Sequence, residues 1–587
     1  MGQLKKMKLP NVLVSQVGYL CDVRKRFVVP DGAATEFEIQ DMTRHTRETL
    51  GEWENWLPIF RGHLQPARGA MGDFAVGDFS AVRGPGFYRV VLVGDAGHSY
   101  PFAISDGAFA RLPRMFLDYC HNQRCGPFEN EWRGPCHLDD GVRSDNGAPV
   151  DVVGGWHDAG DVRKWMATTP LPVLGLLQMH ERFGSENDWL DEAAWGVRFI
   201  LKMQDPATGM IFEDVGGGGD SRKQPDSSWW SENHAGVYAD NEDNRFTDNA
   251  PGSGDERRVR VQYNPIVQYT NITILLRAAD AFHEGDPAFA KSCADAARRC
   301  WQFMDGKRTD SFHSWTSVLS WRLLAALEIC KAGFAAEEAL VEAVMAVLAL
   351  QDREAGYWWY DATQREPYRG TLHSAQPVIA VARLIEEFPS HPCASRAADA
   401  VRRCADKFIA PMLQTNPFGI MPYALYLQPR SADDVYHDGG GGGTFRFFMP
   451  TRSKRDVNHG LAAHWTSWAH GLALAAGVLG ERSWSDAAWD QLHWLMGANP
   501  RNLSMISGVG YAQAMPYTRF YGVLPGGFCI GPRGDAEDRI YIESDGRCDW
   551  SSGEYWMPPL ANTLMAFAHL LPTNVDRSRK LGYVEQK

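Results

Sequence analysis

The sequence predicts two domains of different class: a β-sandwich of roughly 100 residues, then a much larger all-helical domain. Three observations carry this. Residues 12–20, 26–29, 37–40 and 87–93 are short runs rich in β-branched and aromatic residues, separated by turn formers at 30–32, 84–86 and 94–97, as in a series of strands. After about residue 109, apolar residues recur at helical spacing instead, as in Leu190, Ala194, Val197 and Leu201. A chain of 587 residues also exceeds what one simple core organises.

The helical pattern repeats over roughly 262–283, 286–304, 314–332, 336–351, 371–388, 394–408, 460–479, 484–497 and 558–571. Between these segments lie long loops rich in aromatic residues or glycine, with glycine runs at 216–219 and 439–443. Helices in succession with long connections suit a barrel of paired helices, its loops gathered at one end as a cleft.

Composition narrows the function. A net charge of −13 disfavours nucleic acid and anionic membranes as partners. No run of about 18 apolar residues is present, so no membrane span is expected. The basic start MGQLKKMKLP is not followed by an apolar stretch. This predicts a cytoplasmic protein, or a secreted one whose signal has been removed. The 11 cysteines are mostly scattered singly, which is not a disulfide framework. Cys293, Cys300 and Cys330 read as buried thiols in helices. The 21 Trp give flat apolar faces suited to sugar rings, although core filling accounts for many of them.

Chemistry concentrates at Gly154–Asp161, GGWHDAGD. Asp158 and Asp161 place two like charges on one short turn. Asp161 could instead cap a helix running through Lys164 and Trp165. Pairing carboxylates is costly, and one use for the pair is to hold a water and remove its proton. A general acid must then stand opposite. Glu554, followed by Tyr555, Trp556 and Met557, has the aromatic surroundings that raise a carboxyl pKa. The alternative is a solvent-facing loop residue.

GGWHDAGD resembles the signature turn of glycoside hydrolase family 9, the inverting cellulases and β-glycanases. LVSQVGYL (13–20) and DFSAVRGPGFYRVVL (78–92) are similar to the immunoglobulin-like module of one branch of that family. HNQRCGPFENEWRGPCHLDDG (121–141), LMGANPRNLSMISGVG (495–510) and SSGEYWMPPLANTLMAFA (551–568) follow in the family's order. The resemblance implies an immunoglobulin-like sandwich over 1–108, an (α/α)6 barrel over 109–575 and a tail at 576–587. It implies Asp161 as general base, Asp158 holding the same water, and Glu554 as general acid. The reaction would be inverting cleavage of β-1,4 bonds in a β-glucan or cello-oligosaccharide, endoglucanase-like. Exo action on short oligosaccharides, as by a β-glucosidase or glucosaminidase, remains an alternative. So do a glycan-binding protein without activity and a zinc hydrolase using His157, Asp158 and Asp161.

Departures from the family fall on the substrate side. Pro516, Tyr517 and Thr518 stand where histidines are usual, while Arg519 matches an arginine. The stretch from Tyr263 has no acidic residue where the family's calcium ligands lie, so no calcium is predicted. Cys125, Cys136, His137 and His157 make a closed set of two thiolates and two imidazoles, which suits structural zinc. Members of the branch carry such a zinc. Loop aromatics are candidate sugar platforms: Trp229, Trp230, Trp358, Trp359 and Tyr517. His373 and Arg519 are candidate hydrogen-bonding partners. A monomer or weak oligomer is expected.

Overall fold

A computed structural model of the chain describes residues 10–30, 32, 34–43, 57–94, 97–184, 188–216, 246–451, 458–517, 522–542 and 550–573. The N-terminal part is β-rich: Gly18–Tyr19 (β1), Arg26–Pro30 (β2), Glu36–Asp41 (β3), Pro58–His63 (β4), Gln65–Gly69 (β5), Gly72–Asp78 (β6), Gly86–Leu92 (β7), Gly97–His98 (β8) and Phe102–Ile104 (β9). One sheet runs β1-β9-β7-β3-β4 with β8 against β7, and the other runs β2-β6-β5. Alternation decides which side chains go inward. Along β7, Tyr88, Val90 and Leu92 are buried while the residues between them are half-open. They meet Phe37 and Ile39 of β3 and, from the second sheet, Phe27 and Val29. Phe27 and Phe37 pack edge to face at 4.8 Å between ring centres. Three of the four strand runs predicted from sequence are present, while the run over 12–20 is strand only at Gly18–Tyr19, with isolated bridges at Val12 and Leu13. β4 and β5 escape a sequence reading because their side chains are mostly exposed or half-open, so no apolar alternation marks them.

Helices follow: Arg111–Asn122 (α1), Leu171–Phe183 (α2), Trp189–Lys202 (α3), Pro265–Phe282 (α4), Pro287–Asp305 (α5), Thr316–Lys331 (α6), Glu337–Ala349 (α7), Gln376–Glu387 (α8), Ala394–Cys404 (α9), Ala410–Leu413 (α10), Ala462–Leu479 (α11), Arg482–Leu495 (α12), Trp550–Gly553 (α13) and Met557–Leu570 (α14). Each predicted helical stretch contains a helix. α1 and α2 are not anticipated by the sequence pattern; in α2 the run from Leu171 to Met179 is buried on every side. In contact, α2, α4, α6, α8, α11 and α14 succeed one another, and α14 closes back on α2. α3, α5, α7, α9 and α12 pack against this closed ring. None of the described helices is long and apolar enough to cross a membrane.

The β-rich part is seated on α12 and the segment after it. Asp490 of α12 pairs with Arg26 at 2.8 Å and also with Arg24. The Gln16 side chain donates to Asn502 O at 2.8 Å and accepts from Tyr511 N at 2.7 Å. Tyr19 packs edge-on against His493 at 4.7 Å.

Candidate active site

The turn at Gly154–Asp161 is fixed backbone by backbone. Gly154 and Gly155 have φ of +120° and +72°, conformations open to glycine. At Gly155 a Cβ would also lie 2.6 Å from the Phe199 ring. Cys125 N donates to Gly155 O at 2.8 Å, and His157 N to Gln123 O at 2.9 Å. The Trp156 indole, wholly buried, donates to Glu192 at 2.7 Å, so this Trp packs beneath the turn. Lys164 donates to Val152 O and Gly154 O and pairs with Asp140 at 2.7 Å.

No helix starts at Asp161. Its carboxylate accepts from Arg163 N at 3.0 Å, while Lys164–Trp165 is a short strand (β10) pairing with Asp214–Gly216 (β11). The helix begins only at Leu171, after Pro170. The capping alternative is thereby excluded: the buried Lys164–Asp140 pair holds this stretch to the neighbouring loop.

Both carboxylates of the turn are buried, Asp158 at 2% exposure and Asp161 at 8%. Burial pushes the Asp158 carboxyl up to about 7, and the Asp161 charge adds to this, while hydrogen bonds from Thr168, Thr169 and Trp556 hold it back. Thr169 donates to one Asp158 oxygen at 3.1 Å, and the Trp556 indole to the other at 3.1 Å. Sequence reasoning misses Trp556 and Thr169 as site residues, because their sequence positions only suggest apolar or helix-entry roles.

Glu554 stands at the end of α13, half-buried. Its carbonyl accepts from Ile530 N at 2.6 Å, and it bridges Tyr517, whose N donates to Gly553 O at 2.8 Å. Trp556 bridges Ala159 across an antiparallel pair, and Met557 N donates to Asp158 O at 3.2 Å. Two residues from that bridge, on either chain segment, stand Asp161 and Glu554. The structure therefore brings the predicted base turn and the predicted acid segment together, with Tyr517 beside the acid.

Cys125, Cys136, His137 and His157 also converge. All four are buried, and their ligand atoms lie within 4.8 Å of one another. Cys125 Sγ is 3.5 Å from His137 Nδ1, and Cys136 Sγ is 3.7 Å from His157 Nε2. A tetrahedral ion with bonds of about 2.3 Å to sulfur and about 2.0 Å to nitrogen has S···N edges of about 3.5 Å, so the set fits a closed metal site. Burial opposes charge on Cys125, yet the hydrogen bond with Cys136, Lys164 and the two imidazoles draw its thiol well below the ordinary value. Cys136 moves up, as expected of two thiols sharing one charge. Burial drives His157 down to about 3, leaving a neutral imidazole suited to ligation. Arg257 joins this cluster to the carboxylate turn: its guanidinium reaches Cys125 Sγ at 3.7 Å, Asp140 Oδ1 at 2.8 Å and Val162 O.

The remaining sugar-binding candidates fare unevenly. Trp229, Trp230 and Arg519 lie outside the described residues. Trp358 is corrected: it is 2% exposed, sits in the core and donates its indole proton to Val347 O at 3.0 Å, so no sugar reaches its face. His373 is likewise corrected. It is buried edge-on against Trp321 at 5.3 Å, lines a cavity inside the helical ring, and is held neutral with its pKa down to about 3 by burial. Trp359 is half-open and packs edge-on with Tyr357 at 5.0 Å; the segment joins the N-terminus of α6 rather than the carboxylate turn.

The sequence model of the family described as Glycosyl hydrolase family 9 matches residues 109–523. A cellodextrinase from Butyrivibrio fibrisolvens is 32% identical over 223 residues, which are 33% of this chain and 38% of that protein's length. The chain therefore spans well under half of that relative. A mutant thermostable endoglucanase from Alicyclobacillus acidocaldarius aligns over 96% of this chain and 100% of its own, with TM-score 0.67 and 20% identity. A Zn-binding triple mutant of a family 9 endoglucanase aligns over 94% of this chain and 100% of its own, with TM-score 0.66 and 18% identity. These likenesses carry the fold across nearly the whole chain.

Proposed function

This chain belongs to glycosyl hydrolase family 9, and we propose that it hydrolyses β-1,4 bonds of a β-glucan or cello-oligosaccharide with inversion. The observation that carries this is the junction of two segments about 400 residues apart: the Asp158–Asp161 turn and the Glu554 segment meet at the Ala159–Trp556 bridge. In this reading Asp161 takes a proton from a water held between it and Asp158. The water oxygen attacks the anomeric carbon from the face opposite the leaving group. Glu554 gives its proton to the leaving glycosidic oxygen, and the carbon–oxygen bond breaks with inversion. Tyr517, beside Glu554, is the described aromatic best placed to line the sugar.

The domain reading follows the same proposal. Residues 1–108 form an immunoglobulin-like module and 109–575 an (α/α)6 barrel, with 576–587 a tail; the two facing sheets and the closed helical ring support it. The likeness to a cellodextrinase favours short cello-oligosaccharides among the substrates. Zinc is the metal proposed for Cys125, Cys136, His137 and His157. Four protein ligands close its coordination, so it would supply structure and no open position for substrate.

The test is substitution of the base. Asp161→Ala should abolish hydrolysis of cello-oligosaccharides while leaving the melting temperature near that of the native protein. Near-native turnover in that variant would refute the assignment.

A further inference from the structure

We infer that Trp556 is a positioning residue of this reaction: its indole N–H locks the Asp158 carboxylate and so fixes the base turn against the acid segment. The inference rests on the roles proposed for Asp158, Asp161 and Glu554, and adds a residue that acts through them. Trp556 Nε1 donates to Asp158 Oδ2 at 3.1 Å, and Thr169 Oγ1 holds the other oxygen at 3.1 Å. A carboxylate with a donor on each oxygen is not free to rotate. The same two segments are joined by the Ala159–Trp556 bridge and by Met557 N on Asp158 O at 3.2 Å. Side chain and backbone thus make one clamp, from a residue only two positions beyond Glu554.

The chemistry gives such a clamp a purpose. Inversion needs the two carboxyl groups held roughly 6.5–9.5 Å apart with a water between them, and a misplacement of about 1 Å costs on the order of 100-fold in rate. The base turn enters on two glycines and carries two like charges that push apart, so it needs an external hold. An N–H donor to a carboxylate is a charge-assisted bond, among the stronger kinds. Phenylalanine would fill much the same space as the Trp556 ring, against which His459 packs edge-on at 5.9 Å, but could not donate. The inference therefore separates the indole N–H from the ring.

The test uses the full chain. With cello-oligosaccharides, Trp556→Phe should lower kcat by at least about 10-fold while KM stays within about two-fold and the melting temperature is little changed. A kcat within two-fold of native, or a rise in KM alone, would overturn it; the latter would make the ring a wall for the sugar. A second measurement does not depend on turnover. In protein labelled with 15N at its indoles, the resonance lost in Trp556→Phe belongs to Trp556, and Asp158→Ala should shift it in the native background. If Asp158→Ala leaves that resonance unmoved, the clamp is absent whatever the kinetics. If native protein cleaves none of the β-1,4 substrates, the reaction itself is wrong, and the indole resonance still decides whether the bond exists.

Discussion

At the scale of residues, the Gly154–Asp161 turn sets a histidine and two carboxylates within five positions of one another. Two aspartates three apart behind a His, on a glycine turn, have few uses, and the structure buries both. The partners of Asp158 were not legible, because a hydrogen bond between residues 398 positions apart leaves no local pattern. Trp358 misled for a related reason: an aromatic outside helical periodicity can still be core when a turn folds it inward, as its indole bond to Val347 O shows. At Gly155 the φ of +72°, with the Phe199 ring 2.6 Å from where a Cβ would stand, leaves no room for alanine. Gly155→Ala should destabilise the protein by about 2–3 kcal/mol, read by denaturant unfolding, and a change under about 0.5 kcal/mol would contradict the packing described.

At the scale of elements, complete burial does not by itself hide a helix: α4, α6, α11 and α14 are as buried as α2 yet lie within predicted stretches, whereas α2 and the two-faced α1 are not anticipated. The junctions between elements carry two further predictions. Metal analysis of the purified protein should find zinc near one equivalent, and a chelator strong enough to remove it should lower the melting temperature, because the cluster ties the 125–137 loop to His157 on the carboxylate turn. Protein without metal, or a melting temperature indifferent to metal removal, would contradict this. Where the β-rich part meets α12, Asp490 is nearly buried between Arg24 and Arg26. Removing it strands two guanidinium groups, both partly open to water. Asp490→Ala should therefore cost about 2 kcal/mol and loosen the N-terminal part, read as faster amide exchange across β2.

At the scale of the molecule, the succession of helices with long connections points to a barrel, but which helices close it is not legible. The alternation of strands, then helices, predicted two classes of structure. That α14 returns to α2 and completes the ring depends on contacts distant in sequence, which periodicity does not encode. The whole fold also buries neutral imidazoles. Burial brings His313, His459 and His464 down to about 4, and His373 and His493 down to about 3. Their folded values lie below the unfolded value of about 6.5, so their contribution is complete above pH 6.5 and is lost as pH falls through the window down to about 4. Asp158, Asp490 and Asp538, raised by burial, act in the opposite sense, but the imidazoles outnumber them. The melting temperature should fall steadily between pH 6.5 and 4; a flat profile there would contradict the buried, neutral state of these histidines.

The proposed reaction is direct displacement by water, with the two carboxyl segments holding opposite sides of the bond. The anomeric form of the first product, followed by proton NMR during hydrolysis of a cello-oligosaccharide, distinguishes it from a double displacement. The α-anomer should accumulate first and then mutarotate, and neither Asp161→Ala nor Glu554→Gln should release it at a native rate. Initial release of the β-anomer would contradict direct displacement.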